Sequence, residues 1–342
     1  NGAVILGYRA LRYGGATFSV YIGTNAAANN TSQWGYSSVG IGNSVLLNSV
    51  TNSSVVIGQN AQNNGNANKT VVLGYEGART VSSDGHISVG WRAGYTQTSG
   101  NYNTNLGFKA GYTNSTGSSN THLGYEAGLA NTASGNTSVG HKAGHANVTG
   151  GYSVNIGFEA GRSQTNNNQN VNIGYGANKD ANARNKIGVV AIGMSAMTNG
   201  SAGDNNIAIG KNASFGASGS GGNNICIGYD SSYSSATVAN EITLGNTDIT
   251  SFRIPGLQSS ASDGDVLTFS SASGNITLQA AGGGGASSLN GLSDVLIDGT
   301  SAYFINIPSG LSGNPADNLV IGSLAGNALT TGTRHTIIGY DA

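Results

Sequence analysis

The chain has 342 residues, 56 of them glycine, with only 8% charged and a formal net charge of −1 at pH 7. So little charge offers no basic stripe for phosphate contacts, which argues against nucleic-acid binding, and no run of about 18 apolar residues is present to insert into a membrane as a helix. The single cysteine, Cys226, excludes a disulfide framework within the chain, and the glycines lack the every-third-residue period of collagen.

From its first residues the chain repeats one phrase, apolar-x-apolar-Gly-x-x-Ala. It reads Val4-Ile5-Leu6-Gly7 with Ala10, then Val20-Tyr21-Ile22-Gly23 with Ala26. A less regular copy follows at Val39-Gly40-Ile41-Gly42, then Val55-Val56-Ile57-Gly58 with Ala61. The phrase continues at Gly74, Gly90, Gly107, Gly124, Gly140, Gly157, Gly174, Gly193, Gly210, Gly228 and Gly245, at intervals of 16 to 19 residues. A fixed period of this length is the signature of a solenoid with one repeat per coil. The β-branched residues before each glycine are strand formers. The sequence therefore predicts an all-β fold, a parallel β-solenoid or β-roll of about fifteen coils, roughly 70 Å long at the parallel-strand spacing.

With the phrase glycine at position zero, −1 is Ile, Leu or Val, as in Leu73, Leu106 and Ile156, and −3 is Val, Ile or Thr. Position −2 varies, from Val56 and Val72 to Asn105, His122 and Asn155. Strand side chains alternate between faces. The expectation is therefore that −1 and −3 line the interior and −2 points out. The zero glycine is expected at a corner, because only glycine adopts positive φ there without cost. Ala93, Ala110, Ala127, Ala143, Ala160 and Ala177 at +3 read as small inward residues, and glycines at +4 as a second turn. Each coil is thus expected to hold two short strands joined by two turns. Cys226 stands where other coils place Ala191 or Ala208 and reads as a buried filler. Apolar residues left outside would be covered by side-by-side association.

Two outward ladders are expected. Position +1 is aromatic in Tyr75, Trp91, Phe108, Tyr125, Phe158 and Tyr175, with His141 in the same register, and is the candidate surface-contact ladder. Position +2 carries Glu76, Arg92, Lys109, Glu126, Lys142 and Glu159, whose mixed signs allow weak ion pairs between coils. His141 and His145 have a metal-compatible spacing but fall in a turn and read as surface residues.

After Gly245 the rhythm stops. Residues 249–316 read as a connector with hairpin character around Val266–Phe269 and Ile276–Leu278, a flexible joint at Gly282–Gly285, and the phrase Leu289–Val295. The solenoid phrase restarts at Leu319-Val320-Ile321-Gly322 and recurs at Gly339. The domain plan is therefore a rod over 1–248, a connector over 249–316 and the start of a second rod over 317–342. The chain opens and closes inside repeats without an initiator Met or signal peptide, and reads as a piece of a longer polypeptide. No nucleophile elbow, phosphate-binding loop or zinc-protease helix is present. The expectation is a protein that is not an enzyme and uses no cofactor or metal.

The run Asn120-Thr121-His122-Leu123-Gly124-Tyr125-Glu126-Ala127-Gly128 and its neighbours at 103–111 and 136–144 resemble the repeats of bacteriophage tail fibres. Asn240–Asn246 and Leu289–Val295 also look like pieces common in such fibres. The Val-x-Ile-Gly-x-x-Ala unit is similar to the head repeats of trimeric autotransporter adhesins, although their repeat is nearer 14 residues. The resemblance implies a homotrimeric structural fibre of a virion that meets other virion proteins and a host cell-surface glycan or protein. The alternatives are a bacterial trimeric surface adhesin, and a monomeric ice- or carbohydrate-binding solenoid, for which Thr104, Thr121 and Thr137 form a short Thr ladder.

Overall fold

The computed structural model describes residues 2–254 apart from 14, 30–34, 167, 180–185, 199–202, 215–220 and 236, and beyond them 265–269, 276–279, 295–298, 301–304, 319–321 and 336–338. Contacts divide the chain into two compact units, Asn1–Thr250 and Ser251–Ala342. The described residues form strands and turns, with no helix among them.

The first unit is a parallel β-solenoid. Fifteen three-residue strands, from Val4–Leu6 to Ile242–Leu244, build one sheet in strict coil order. Register is kept rung for rung, so Thr121 lies between Thr104 and Thr137. The irregular phrase at Val39–Ile41 is a full rung, paired with Val20–Ile22 and Val55–Ile57. The backbone hydrogen bonds of these rungs join each coil to the next and so run along the rod.

The rest of each coil corrects the expectation of two strands. Outside the main sheet the described residues of the first unit contain only the pair Ala16–Thr17 and Gly35–Tyr36 and two isolated bridges. The return path consists of turns whose residues sit in the left-handed region at fixed places, for example Glu126 at +2 with φ 51° and Ser119 at −5 with φ 58°. Inter-coil hydrogen bonds continue through these turns: Glu126 N–H to Phe108 O at 2.8 Å, Gly128 N–H to Ala143 O at 2.9 Å. Alternating bonds to the coils above and below satisfy the backbone without a second strand.

The zero glycine is the corner, as the phrase predicts. Fourteen of these glycines, Gly7 to Gly228, have φ between 127° and 146°, a region closed to other residues. Space closes it a second time. A Cβ on Gly124 would stand 2.5 Å from the carbonyl oxygen of Gly140, the corner of the next coil.

The faces of the strand are opposite to the sequence expectation. Position −2 is the interior: Tyr21, Val56, Val72, Ser88, Asn105, His122, Asn172, Ala191, Ala208 and Cys226 are all buried. Positions −1 and −3 point outward, giving strands such as Val55–Ile57 and Thr121–Leu123 an exposed-buried-exposed pattern. The strand period is two, so assigning the wrong face to one position inverts all three. The largely apolar pair at −1 and −3 marks a continuous outward face and not the core. The variable position varies because it is matched to a partner across a thin interior.

That partner is +4. Gly40 at −2 faces Leu46, whose Cδ1 would stand 3.0 Å from a Cβ at Gly40. Ala191 and Met197 are both buried, and Val72 lies against Gly77 at +3, where a Cβ would stand 2.9 Å from its Cγ1. His122 lies against Gly128, where a Cβ would fall on the imidazole ring, and Ser138 against Gly144, where it would lie 2.5 Å from Oγ. In these coils a side chain that reaches across the interior meets glycine or alanine on the other wall, as close packing demands. The +3 alanines are buried, as expected.

Position −4 supplies a second internal ladder. Asn120 N–H donates to Asn103 Oδ1 and Asn136 N–H to Asn120 Oδ1, both at 2.8 Å. Each amide also donates from Nδ2 across the coil, Asn103 to Gly117 O at 2.7 Å and Asn136 to Gly150 O at 2.9 Å. Each Asn thus ties its coil to the neighbour at two walls, so these buried polar groups are satisfied.

In the second unit Val266–Phe269 pairs antiparallel with Ile276–Gln279. Val295–Asp298 pairs antiparallel with Ser301–Phe304, which continues in parallel to Leu319–Ile321 and then Thr336–Ile338. The restarted phrase therefore forms rungs in register, Leu319 opposite Thr336. The joint at 282–285 and the phrase at 289–294 lie outside the described residues.

Candidate functional site: an apolar strand face beside a stacked aromatic ladder

Two features of the rod surface stand out. The first is the outward strand face. Thirteen consecutive strands of the sheet, from Val20–Ile22 to Ile225–Ile227, bury the middle residue and turn −1 and −3 away from the interior. Val55 and Ile57 keep 38% of their surface, Leu106, Leu123 and Ile227 41%. One or two such residues per rung, stacked rung on rung, far exceed the ~300–600 Å² of a monomer's largest apolar patch. Thr104, Thr121 and Thr137 lie on this face at −3, flanked by Val and Ile in the same register.

The second feature begins one residue past the corner. The structure brings all six residues of the expected contact ladder into one column, completed by His141. Neighbouring ring centroids are 4.8 to 5.1 Å apart from Trp91 to Tyr175, with interplanar angles of 3° to 8°. Tyr75 joins at 6.2 Å from Trp91. A shorter ladder, Tyr95 and Tyr112 at 5.0 Å, stands at +5. Stacking along the rod occupies ring faces and leaves edges toward solvent. A sugar that stacks on a free aromatic face finds none within the column.

Between the two ladders lie the charges of +2. Glu76 is held by Arg92 at 2.6 Å and Arg79 at 3.7 Å. Glu126 is held by Lys142 at 3.7 Å and His145 at 3.4 Å, and Glu159 by Arg162 at 3.0 Å and Lys179 at 3.2 Å. The carboxylates keep only 8–14% of their side-chain surface, whereas the bases over them keep 27–40%. Lys109 has no carboxylate partner among the described residues and lies 5.4–5.6 Å from the rings of Trp91, Phe108 and Tyr112. Burial holds His145 below its ordinary pKa, although Glu126 pulls the other way.

His141 and His145 are therefore taken up by the ring stack and by Glu126. Among the described residues no group of three or more His, Cys, Asp or Glu could hold a metal ion. Cys226 is buried on the interior face beside Ala208, and burial pushes its thiol up to about 11.

Two interior histidines escaped the sequence reading. The Nε2–H of His86 donates to Ser83 Oγ at 2.8 Å, and Ser83 Oγ in turn donates to Gly100 O at 2.7 Å. His86 Nδ1 accepts from the Asn103 N–H at 3.3 Å, which assigns the neutral ring. His122 Nε2 accepts from Asn131 Nδ2 at 3.2 Å, because Asn131 Oδ1 already accepts from Ala133 N–H and Asn136 Nδ2. The His122 proton then sits on Nδ1, which has no partner. Burial lowers both rings to about 4. Their positions, −4 and −2, are the signal that could have found them.

Comparison with known proteins returned no match: no family model, no curated protein and no solved structure matches the chain.

Proposed function

We propose that the chain is the shaft of a fibrous virion protein in which three copies lie side by side, seal their apolar strand faces together and present the remaining surface to a host. The observation that carries this reading is the unbroken −1 and −3 face, far larger than a monomer leaves bare. Another copy is the natural occupant, because a rod of equal coil rise meets it rung for rung over its whole length. The resemblance of Asn120–Gly128 to tail-fibre repeats supports three copies and a virion setting. The role is mechanical and adhesive. A bacterial surface adhesin would use the same roll.

Sedimentation equilibrium at micromolar concentration tests the assembly. Three times the 34.2 kDa chain mass is expected, and Ile57→Glu with Leu123→Glu, both outward, should give folded monomers. A clean wild-type monomer would sink the proposal. It would turn attention to the second reading, a monomeric ice-binding face, which the aligned Thr104, Thr121 and Thr137 favour and thermal hysteresis would detect.

A further inference from the structure

We infer that the surface between positions +1 and +5 of the seven coils from Gly74 to Gly174 is a binding strip for a linear anionic polysaccharide with sparse charges, of the order of one per disaccharide. The inference takes its biological setting from the adhesive-shaft reading, but the binding itself does not depend on it.

Three observations converge on an anion. First, between +1 and +5 these coils carry six Lys and Arg against three Glu, a net +3 within a chain of net −1. Second, the charges are layered. Each carboxylate is nearly buried beneath at least one Lys or Arg, so solvent meets cations. Third, the stacked rings turn their edges outward, and an aromatic edge is the positive part of its quadrupole. Cations and ring edges therefore favour the same sign of ligand along one line.

Charge spacing selects the class of polyanion. The strip carries its net +3 over six coil steps of about 4.8 Å, roughly one charge per 10 Å. Duplex DNA presents one phosphate charge per ~1.7 Å and needs a far denser cationic surface. A uronic-acid polymer with one carboxylate per two sugars offers the sparser match. A solenoid with one repeated surface also suits an extended chain laid along it. The filled ring faces exclude the usual stacking of neutral sugars, so charge must carry selectivity.

The test uses the whole chain and three probes at equal, low ionic strength: hyaluronan, neutral dextran and duplex DNA. Hyaluronan should bind, lose affinity steeply with added salt, and bind tighter than DNA, while dextran should not bind. Lys109→Gln leaves no carboxylate unpaired and should weaken hyaluronan about threefold; adding Lys179→Gln, with Arg162 still on Glu159, should bring the loss to about tenfold. Lys69→Gln, off the strip, should change nothing. Dextran binding equal to hyaluronan, DNA binding as tight, or an unaltered Lys109→Gln/Lys179→Gln variant would each overturn the inference. Chain mass, measured on the same samples, reports on the trimer separately.

Discussion

The first coils and the middle coils follow one backbone path and fill it in opposite ways. Near the start the interior is apolar, a cluster that includes Tyr21, Val45, Leu46, Val56 and Val72. In the middle the corresponding positions are Ser88, Asn105, His122, Ser138, Asn155 and Asn172, and another apolar cluster around Val189, Ala191 and Met197 takes over beyond them. The outside changes in step. The aromatic column spans Tyr75 to Tyr175, largely the stretch where the interior is polar. The path is therefore set by features both regions share, the corner glycines, the +3 alanines and the inter-coil hydrogen bonds. The filling is exchangeable, and where it buries little apolar surface the outer stack supplies some.

The largest expected effect should not distinguish the regions. Gly124→Ala in the middle and Gly58→Ala near the start place a Cβ on the next corner at a φ of 137° or 143°. Each should lose more than about 3 kcal/mol in denaturant unfolding. A loss below 1 kcal/mol at one site only would mean that the corners are not equivalent.

Acid should separate the regions. His86 and His122 have folded pKa values near 4, below the ordinary 6.5. The folded state therefore binds fewer protons. Stability is fully present above about pH 6.5 and falls as pH drops toward 4, by roughly 3 kcal/mol per ring. A second proton on His122 would also point at the Asn131 Nδ2 donor. Hydrogen exchange at pH 4.5 should open the coils around Ser88–Ser138 first. His122→Asn, the residue of the preceding coil, should halve the acid loss. Uniform protection at both pH values would contradict the polar-interior account.

A swap of fillings tests exchangeability directly. Gly128→Ala alone meets the His122 ring and should cost about 2–3 kcal/mol. With His122→Ala added, the ring that the new Cβ meets is gone, and a coupling of about 1–2 kcal/mol in favour of the pair is expected in a double-mutant cycle. Additive losses would refute the matching of −2 to +4.

The smallest effect is on the outside. Phe108→Ala removes two stacked neighbours and should cost about 1 kcal/mol beyond the area lost, against nearly nothing for Gln59→Ala, which holds the same +1 position before the column begins. Equal effects would make the column ornamental to stability.

Much of this was legible in the sequence. The period, the corner glycine, the inward +3 alanine, the +1 column and the place of Cys226 follow from single residue types with one physical use each. The strand face did not follow. Leu73, Leu106 and Ile156 are as apolar as any core residue, and nothing local distinguishes a face buried within the chain from one left outward. The −2 position was obscured because its rule is a pair rule: His122 makes sense only beside Gly128, and Gly40 only beside Leu46. The Asn ladder at −4 was visible as Asn103, Asn120, Asn136 and Asn170 but lay hidden in an Asn-rich background.

The coil-to-coil hydrogen bonds have a mechanical consequence. Because they run along the rod, tension applied at its two ends acts on every inter-coil seam in series, and the weakest seam parts first. Each seam that yields frees one coil of 16 to 19 residues, about 55–65 Å of extended chain. Such a rod is a stepwise force absorber. It lengthens in near-equal increments under load, and each freed coil finds its place again from the register of the one beneath it.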